Sequence, residues 1–102
     1  MKYHIVQQVQ IVDMNNELIK EVLFDHGEFS TFFLPVGSTV VTKPLGLREF
    51  EVVHDVRTDE VRRSKIIDTE INIVAQNQSV QAFLEPIKLI IGQHDVGEFY
   101  EE

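Results

Sequence analysis

Cysteine is absent from this chain. Disulfides and thiolate metal sites are therefore excluded, and a reducing cytoplasm suits the composition. No stretch of eighteen residues is apolar throughout, so no membrane-spanning helix is expected. Met1 to Gln8 lacks a long apolar core, so no signal peptide is expected. Basic side chains are scarce: nine Lys and Arg stand against seventeen Asp and Glu, a formal charge of −8. Such a balance opposes general binding to nucleic acid or anionic lipid, because repulsion acts before any contact forms.

Catalytic motifs are missing too. None of Ser30, Ser38, Ser64 and Ser79 stands in a G-x-S-x-G turn. Gly37-Ser38-Thr39 lacks the rest of a phosphate-binding loop, and the histidines show neither HxH nor HExxH spacing. His26, His54 and His94 each neighbour an aspartate. Successive side chains on a strand point to opposite faces, however, so His54 and Asp55 cannot readily share one metal ion. The expectation is a protein that is not an enzyme and takes no metal or cofactor.

What the chain does contain is strand pattern. Its 102 residues are 43% apolar and 25% charged, which suits one folded domain over 1–102 with an acidic, loosely held tail at 93–102. The most extended pattern runs from Leu47 to Val74 and reads as one long β-hairpin. Phe50, Val52, His54 and Val56 share a side of the first arm; Val61, Arg63, Lys65, Ile67, Thr69, Ile71 and Ile73 share a side of the second. Fourteen extended residues from Val61 to Val74 would reach roughly 46 Å. A compact domain of this size is only about 34 Å across. The second arm must therefore bend, project, or carry a bulge near Ser64 to Ile67.

Elsewhere, Tyr3, Ile5, Val9 and Ile11 share one face of a first strand. Asn15-Asn16 suits a two-residue hairpin turn, with Leu18 to Phe24 returning; that register sets Val9 opposite Val22 and Val12 opposite Ile19. A short helix over Asn16 to Phe24 is the rival reading, from the spacing of Leu18, Ile19, Val22 and Leu23. Asp25 to Glu28 reads as a loop, and Phe29, Phe32, Phe33 and Leu34 as a seal on one end of the core. Val36 to Thr42 enters a strand after a glycine turn. Val80 to Leu84 is strand or one helical turn, Pro86 favours an edge position, and Ile87 to Ile91 is a last short strand. The expected fold is mainly β: a small antiparallel β-barrel or compact β-sandwich of six to seven strands, with the long hairpin at 47–74.

Two stretches, Leu34-Pro35-Val36-Gly37-Ser38-Thr39-Val40 and Phe50-Glu51-Val52-Val53-His54-Asp55-Val56, carry a resemblance. They look like a pattern in small uncharacterised phage and prophage proteins, where an "LP-x-VG-x-x-V" turn enters a strand and an "F-x-V-x-x-V" hairpin follows, as in SH3-like barrels. The resemblance implies an SH3-like barrel and a mobile-element origin. It carries no functional residue.

With no catalytic constellation, the expected function is a binding or assembly module with a protein partner. The alternative is an acidic inhibitor that imitates nucleic acid and occupies a nucleic-acid-binding protein. Val40-Val41, Val52-Val53, Ile66-Ile67 and Ile90-Ile91 put apolar groups on both faces of their strands, which points to a homo-oligomer. Neither direct nucleic-acid binding nor membrane association is expected. The candidate contact residues are Arg57, Arg62, Arg63 and Lys65, four of the nine basic side chains, gathered at the expected hairpin tip. Local pairing is the competing account, with Asp55 facing Arg62 across a Thr58-Asp59 turn.

Overall fold

A computed structural model describes residues 2–30, 33–57, 59–71, 73–74 and 80–96. Among them the chain is mainly β, with seven strands and no helix: β1 (Lys2–Val12), β2 (Leu18–Ser30), β3 (Thr39–Thr42), β4 (Leu45–Arg48), β5 (Glu51–His54), β6 (Arg62–Ile71) and β7 (Val80–Ile90). Five strands form one sheet in the order β2-β1-β7-β6-β3, and β4 and β5 form a separate two-stranded sheet. β1 and β7 run parallel side by side, while the other pairs are antiparallel. β2 and β3 are the two edges of the large sheet.

Alternation on β1 sets the inner face. Tyr3, Ile5, Gln7, Val9 and Ile11 are all buried there, since side chains two apart on a strand share a face. One core cluster joins Tyr3, Ile5, Ile66, Val80, Ala82 and Leu84, with Leu34 and Val40 packed on it. The second joins Val9, Ile11, Leu45, Leu47, Ile87 and Leu89, so the β4–β5 hairpin covers that half of the face. Each of these large apolar side chains contributes about 1.5–3 kcal/mol through burial. Residues 94–96 hold the hairpin down: Leu47 N–H donates to His94 O at 2.8 Å and Val96 N–H to Leu47 O at 2.9 Å. A Cβ on Gly46 would lie 2.4 Å from Val96 Cγ1 and 2.8 Å from His94 O, so only glycine fits that contact.

The hairpin expected at 47–74 does not form. Its first arm, β5, pairs with β4 through Leu45↔His54 and Arg48↔Glu51. Its second arm, β6, lies in the other sheet between β7 and β3. Either pairing satisfies a period of two equally well, and the pattern alone holds no information on partners. β6 does carry a bulge within the expected reach: Ile66 pairs with Leu84 and Asp68 with Phe83, leaving Ile67 as the extra residue. The core face of β6 also differs from the expected one. Ser64 and Ile66 are buried, whereas Ile67, Ile71 and Ile73 are exposed.

Other expectations change as well. Leu18 to Phe24 is strand, and Val9 does face Val22, but Val12 faces Leu18 across a register shift. The turn is longer than two residues: Asp13 N–H bonds Glu17 O, Asp13 Oδ1 accepts from the N–H groups of Asn15 and Glu17, and Asn16 takes a φ of 66°. Asp25 to Glu28 lies within β2, where His26 bulges between Asp25↔Val6 and Gly27↔Ile5. Phe29 and Phe33 are exposed and do not seal the core; Phe32 lies outside the described residues. Val80 to Ile90 is a single central strand rather than two pieces. Pro86 is accommodated there because β7 passes a bulge toward β1 between Leu84 and Ile87, and its pairing with β6 has ended at Leu84. In the expected tail, Val96 is buried; residues beyond 96 lie outside the described residues.

Candidate functional site

The contact between the edge of the large sheet and the hairpin is aromatic. His26 and Phe24 of β2 meet His54 at the end of β5. Ring centroids lie 4.9 Å apart for Phe24 and His26, 5.1 Å for Phe24 and His54, and 5.6 Å for the two histidines. The two phenylalanine contacts are edge-on, the arrangement that ring quadrupoles favour. The bulge at His26 shifts the alternation of β2 and thereby brings this ring to the hairpin.

Behind the trio lies a buried polar network. Gln7 is fully buried on the inner face. Its amide NH2 donates to Glu85 O at 2.7 Å and to Ser64 Oγ at 3.3 Å. A carbonyl can only accept, so the amide orientation is set by Glu85, and Gln7 Oε1 is left facing His26 Nε2 at 2.9 Å. His26 Nε2 therefore carries the proton, and in the neutral ring Nδ1 keeps its lone pair. Burial holds the His26 pKa below the usual histidine range, helped by nearby His54 and opposed by Asp25. Burial lowers His54 in the same way, assisted by the charge of Lys43. Both rings are consequently neutral at neutral pH.

A hollow opens on each side of the trio. One, of about 360 Å³, is lined by Ile5, His26, Phe29, Val40, Val41, Thr42, Lys43 and His54. The other, of about 410 Å³, is lined by Val22, Leu23, Phe24 and Asp25 with Lys20, Phe50, Glu51 and Val52. Four consecutive β2 residues line the second hollow, so it meets β2 edge-on. On its far side Phe50 is exposed in the two-residue β4–β5 turn, where Glu49 and Phe50 have φ of 53° and 68°. Positive φ is uncommon outside glycine, and for a bulky aromatic it is strained.

The sequence-derived basic residues form no hairpin tip, and only Arg57 comes near the trio, lining a smaller hollow with His54. Arg57 follows β5 and is paired with Asp55, its Nη2 3.0 Å from Asp55 Oδ2. That hydrogen bond, with the Arg57 backbone N–H, outweighs burial and holds the Asp55 carboxyl below its usual range. Arg62, Arg63 and Lys65 are exposed on β6, opposite Thr42, Val41 and Thr39. Asp55 does not face Arg62. Of the histidines, His26 and His54 come together, while His94 Nδ1 accepts the Ile90 N–H at 2.9 Å near the end of β7. No group of three ligand-type side chains forms among the described residues. No helix among them is long and apolar enough to cross a membrane.

Gln7 escaped sequence reasoning, although a signal existed: one amide interrupts the apolar row Tyr3, Ile5, Val9, Ile11. Phe50 had no such signal, because nothing in its neighbours marks it as a turn residue. Comparison of the chain with protein-family models, curated proteins and solved structures finds no match.

Proposed function

We propose that this protein is a non-enzymatic binding or assembly module that takes a partner strand onto the open edge of β2. The observation that carries this reading is the thirteen-residue edge strand with Leu18, Ile19, Leu23 and Phe29 exposed, each between 46% and 57%. A long edge strand presents unpaired backbone donors and acceptors, and natural sheets usually blunt such edges. Here apolar groups flank the edge, and Phe50 stands over the adjoining hollow as an aromatic anchor. The first partner to test is a second copy of the chain. A cytoplasmic setting fits the lack of cysteine, and a half-open, barrel-like curl fits two edge strands, β2 and β3, lining one hollow. The resemblance of the stretches within residues 34–56 supports a phage or prophage origin.

Light scattering at micromolar concentration tests the reading. The parent chain is expected at twice 11.8 kDa, and Leu23→Lys/Phe50→Ser at 11.8 kDa. If the parent is itself a monomer, pull-downs from the host with both forms decide for a different protein partner. The same proteins retained by both would end the β2-edge reading.

One observation favours the alternative, an acidic inhibitor. Strand register puts Glu21, Asp25 and Glu28 on the outer face of β2 and Asp68 and Glu70 on that of β6, three strand spacings or about 14 Å apart. Steep loss of partner affinity with rising salt would select this reading over an apolar interface.

A further inference from the structure

The hollow beside the two histidines has a chemistry distinct from the β2 edge. Its floor and walls are apolar: Ile5 from the centre of the sheet, Phe29 from one edge strand, and Val40 and Val41 from the other. Its volume of about 360 Å³ falls at the small end of ligand pockets, about 300–1,000 Å³. Among the described residues, Lys43 is the only charged side chain that lines it. It forms no ion pair among the described residues. His26 already donates its Nε2–H to Gln7.

We propose that this hollow binds a small monocarboxylate with an apolar tail, the tail lying against Ile5, Phe29, Val40 and Val41 and the carboxylate meeting the Lys43 ammonium. Other ligand classes fit less well. A cation would face Lys43, with no carboxylate lining the hollow among the described residues. A phosphate ester would bring two charges to one ammonium, inside the field of a protein of net charge −8. A neutral apolar molecule fits the walls but gains nothing from Lys43. Lys43 and His54 both line the hollow, so its rim sets a cation beside an imidazole that burial, and secondarily the Lys43 charge, keeps neutral. One negative charge with an adjacent acceptor oxygen matches that pair.

Titration calorimetry and amide NMR shifts on the full chain, with octanoate, 1-octanol and octylamine as probes, test the assignment. Octanoate is expected to bind with Kd of about 0.1–1 mM. Octanol is expected to bind about fivefold more weakly, and octylamine more weakly still, because a partly exposed charge pair is worth only that much. Lys43→Gln should bring octanoate down to the level of octanol, and Lys43→Arg should restore it. Thr42→Trp, which fills the hollow from β3, should abolish binding of both while leaving the urea midpoint in place. Octanoate failing to bind at about ten times the expected Kd, matching octanol in the parent, or binding Thr42→Trp unchanged would each overturn the proposal. The assembly reading fails separately: Leu23 and Phe50 line the other hollow, so a monomer that binds octanoate retains this inference and loses that one.

Discussion

Gln7 is the residue on which the inner face turns from apolar to polar. All its hydrogen-bonding capacity facing the protein is used: two donors to Glu85 O and Ser64 Oγ, and one acceptor from His26. A buried amide is tolerable only when satisfied in this way, and its removal leaves partners on three strands without a bond. Gln7→Leu preserves the approximate shape and deletes the network. It is expected to lower stability by about 1–3 kcal/mol in urea unfolding. Nitrogen-resolved NMR of His26 gives an independent check, since the Nε2–H tautomer should give way to a mixture. Parental stability and the same tautomer in the Gln7→Leu protein would mean that the network neither stabilises the sheet nor sets the ring.

Among the elements, the β4–β5 hairpin is the least regular in its local chemistry. A two-residue hairpin loop with positive φ at both positions is the type for which Asn-Gly is best suited. Here the positions hold Glu49 and Phe50. Each left-handed non-glycine residue costs about 1–2 kcal/mol. Tertiary packing of Leu45, Leu47 and Val52 on the sheet, with the bonds from residues 94–96, holds the turn in place. Replacing Glu49-Phe50 with Asn-Gly is therefore expected to raise stability by about 1–2 kcal/mol. Under the β2-edge reading the same change should weaken assembly through loss of the Phe50 ring. A destabilised Asn-Gly variant would show that Phe50 is needed for folding rather than for contact.

On the scale of the whole molecule, acid should destabilise the fold in two windows. His26 and His54 have pKa values below the usual range when folded. Below a pH of about 6.5 the unfolded chain takes up protons that the folded chain resists, so this share of stability is present above that pH and declines as pH falls. The carboxylates follow later. Burial alone would raise Asp25, but the His4 hydrogen bond at 2.6 Å, the Gly27 N–H and both histidine charges bring it below its usual value. Asp55 is lowered mainly by Arg57. Their contribution is present above a pH of about 3.9 and is lost as pH falls through their lowered values. The melting temperature is expected to decline from about pH 7 to about pH 5 and again below about pH 4. Protonation also relieves repulsion in a chain of charge −8, and this effect is common to parent and variant. His54→Gln removes the His54 share and should make the first window shallower, with the His26 share remaining. Identical slopes for the two proteins would remove His54 from the account.

Period and composition by themselves determined the class of this protein. β-branched alternation marked Tyr3 to Val12, Leu18 to Phe24, Val36 to Thr42 and Ile87 to Ile91 as strand, whereas the continuation of β2 to Ser30 and of β7 from Val80 was not legible; the mismatch between fourteen extended residues and a compact body required relief in β6, found as the Ile67 bulge. The apolar row of β1 was legible because burial and period coincide there. Strand partnership was decided only by the tertiary structure. A period-two pattern states which side chains share a face and says nothing about the neighbouring backbone, so Leu47 to Val74 could be read as one hairpin while its arms belong to different sheets. Face assignment failed on β6 for the same reason: Ile66 and Ile67 are equally apolar, and pairing with β7 selected Ile66 for the core. The meeting of Phe24, His26 and His54, and the placing of Lys43 beside an apolar hollow, follow from a bulge and from the packing of one sheet on another. These are contacts between segments far apart in the chain, and their energies depend on the assembled geometry rather than on any local run of residues.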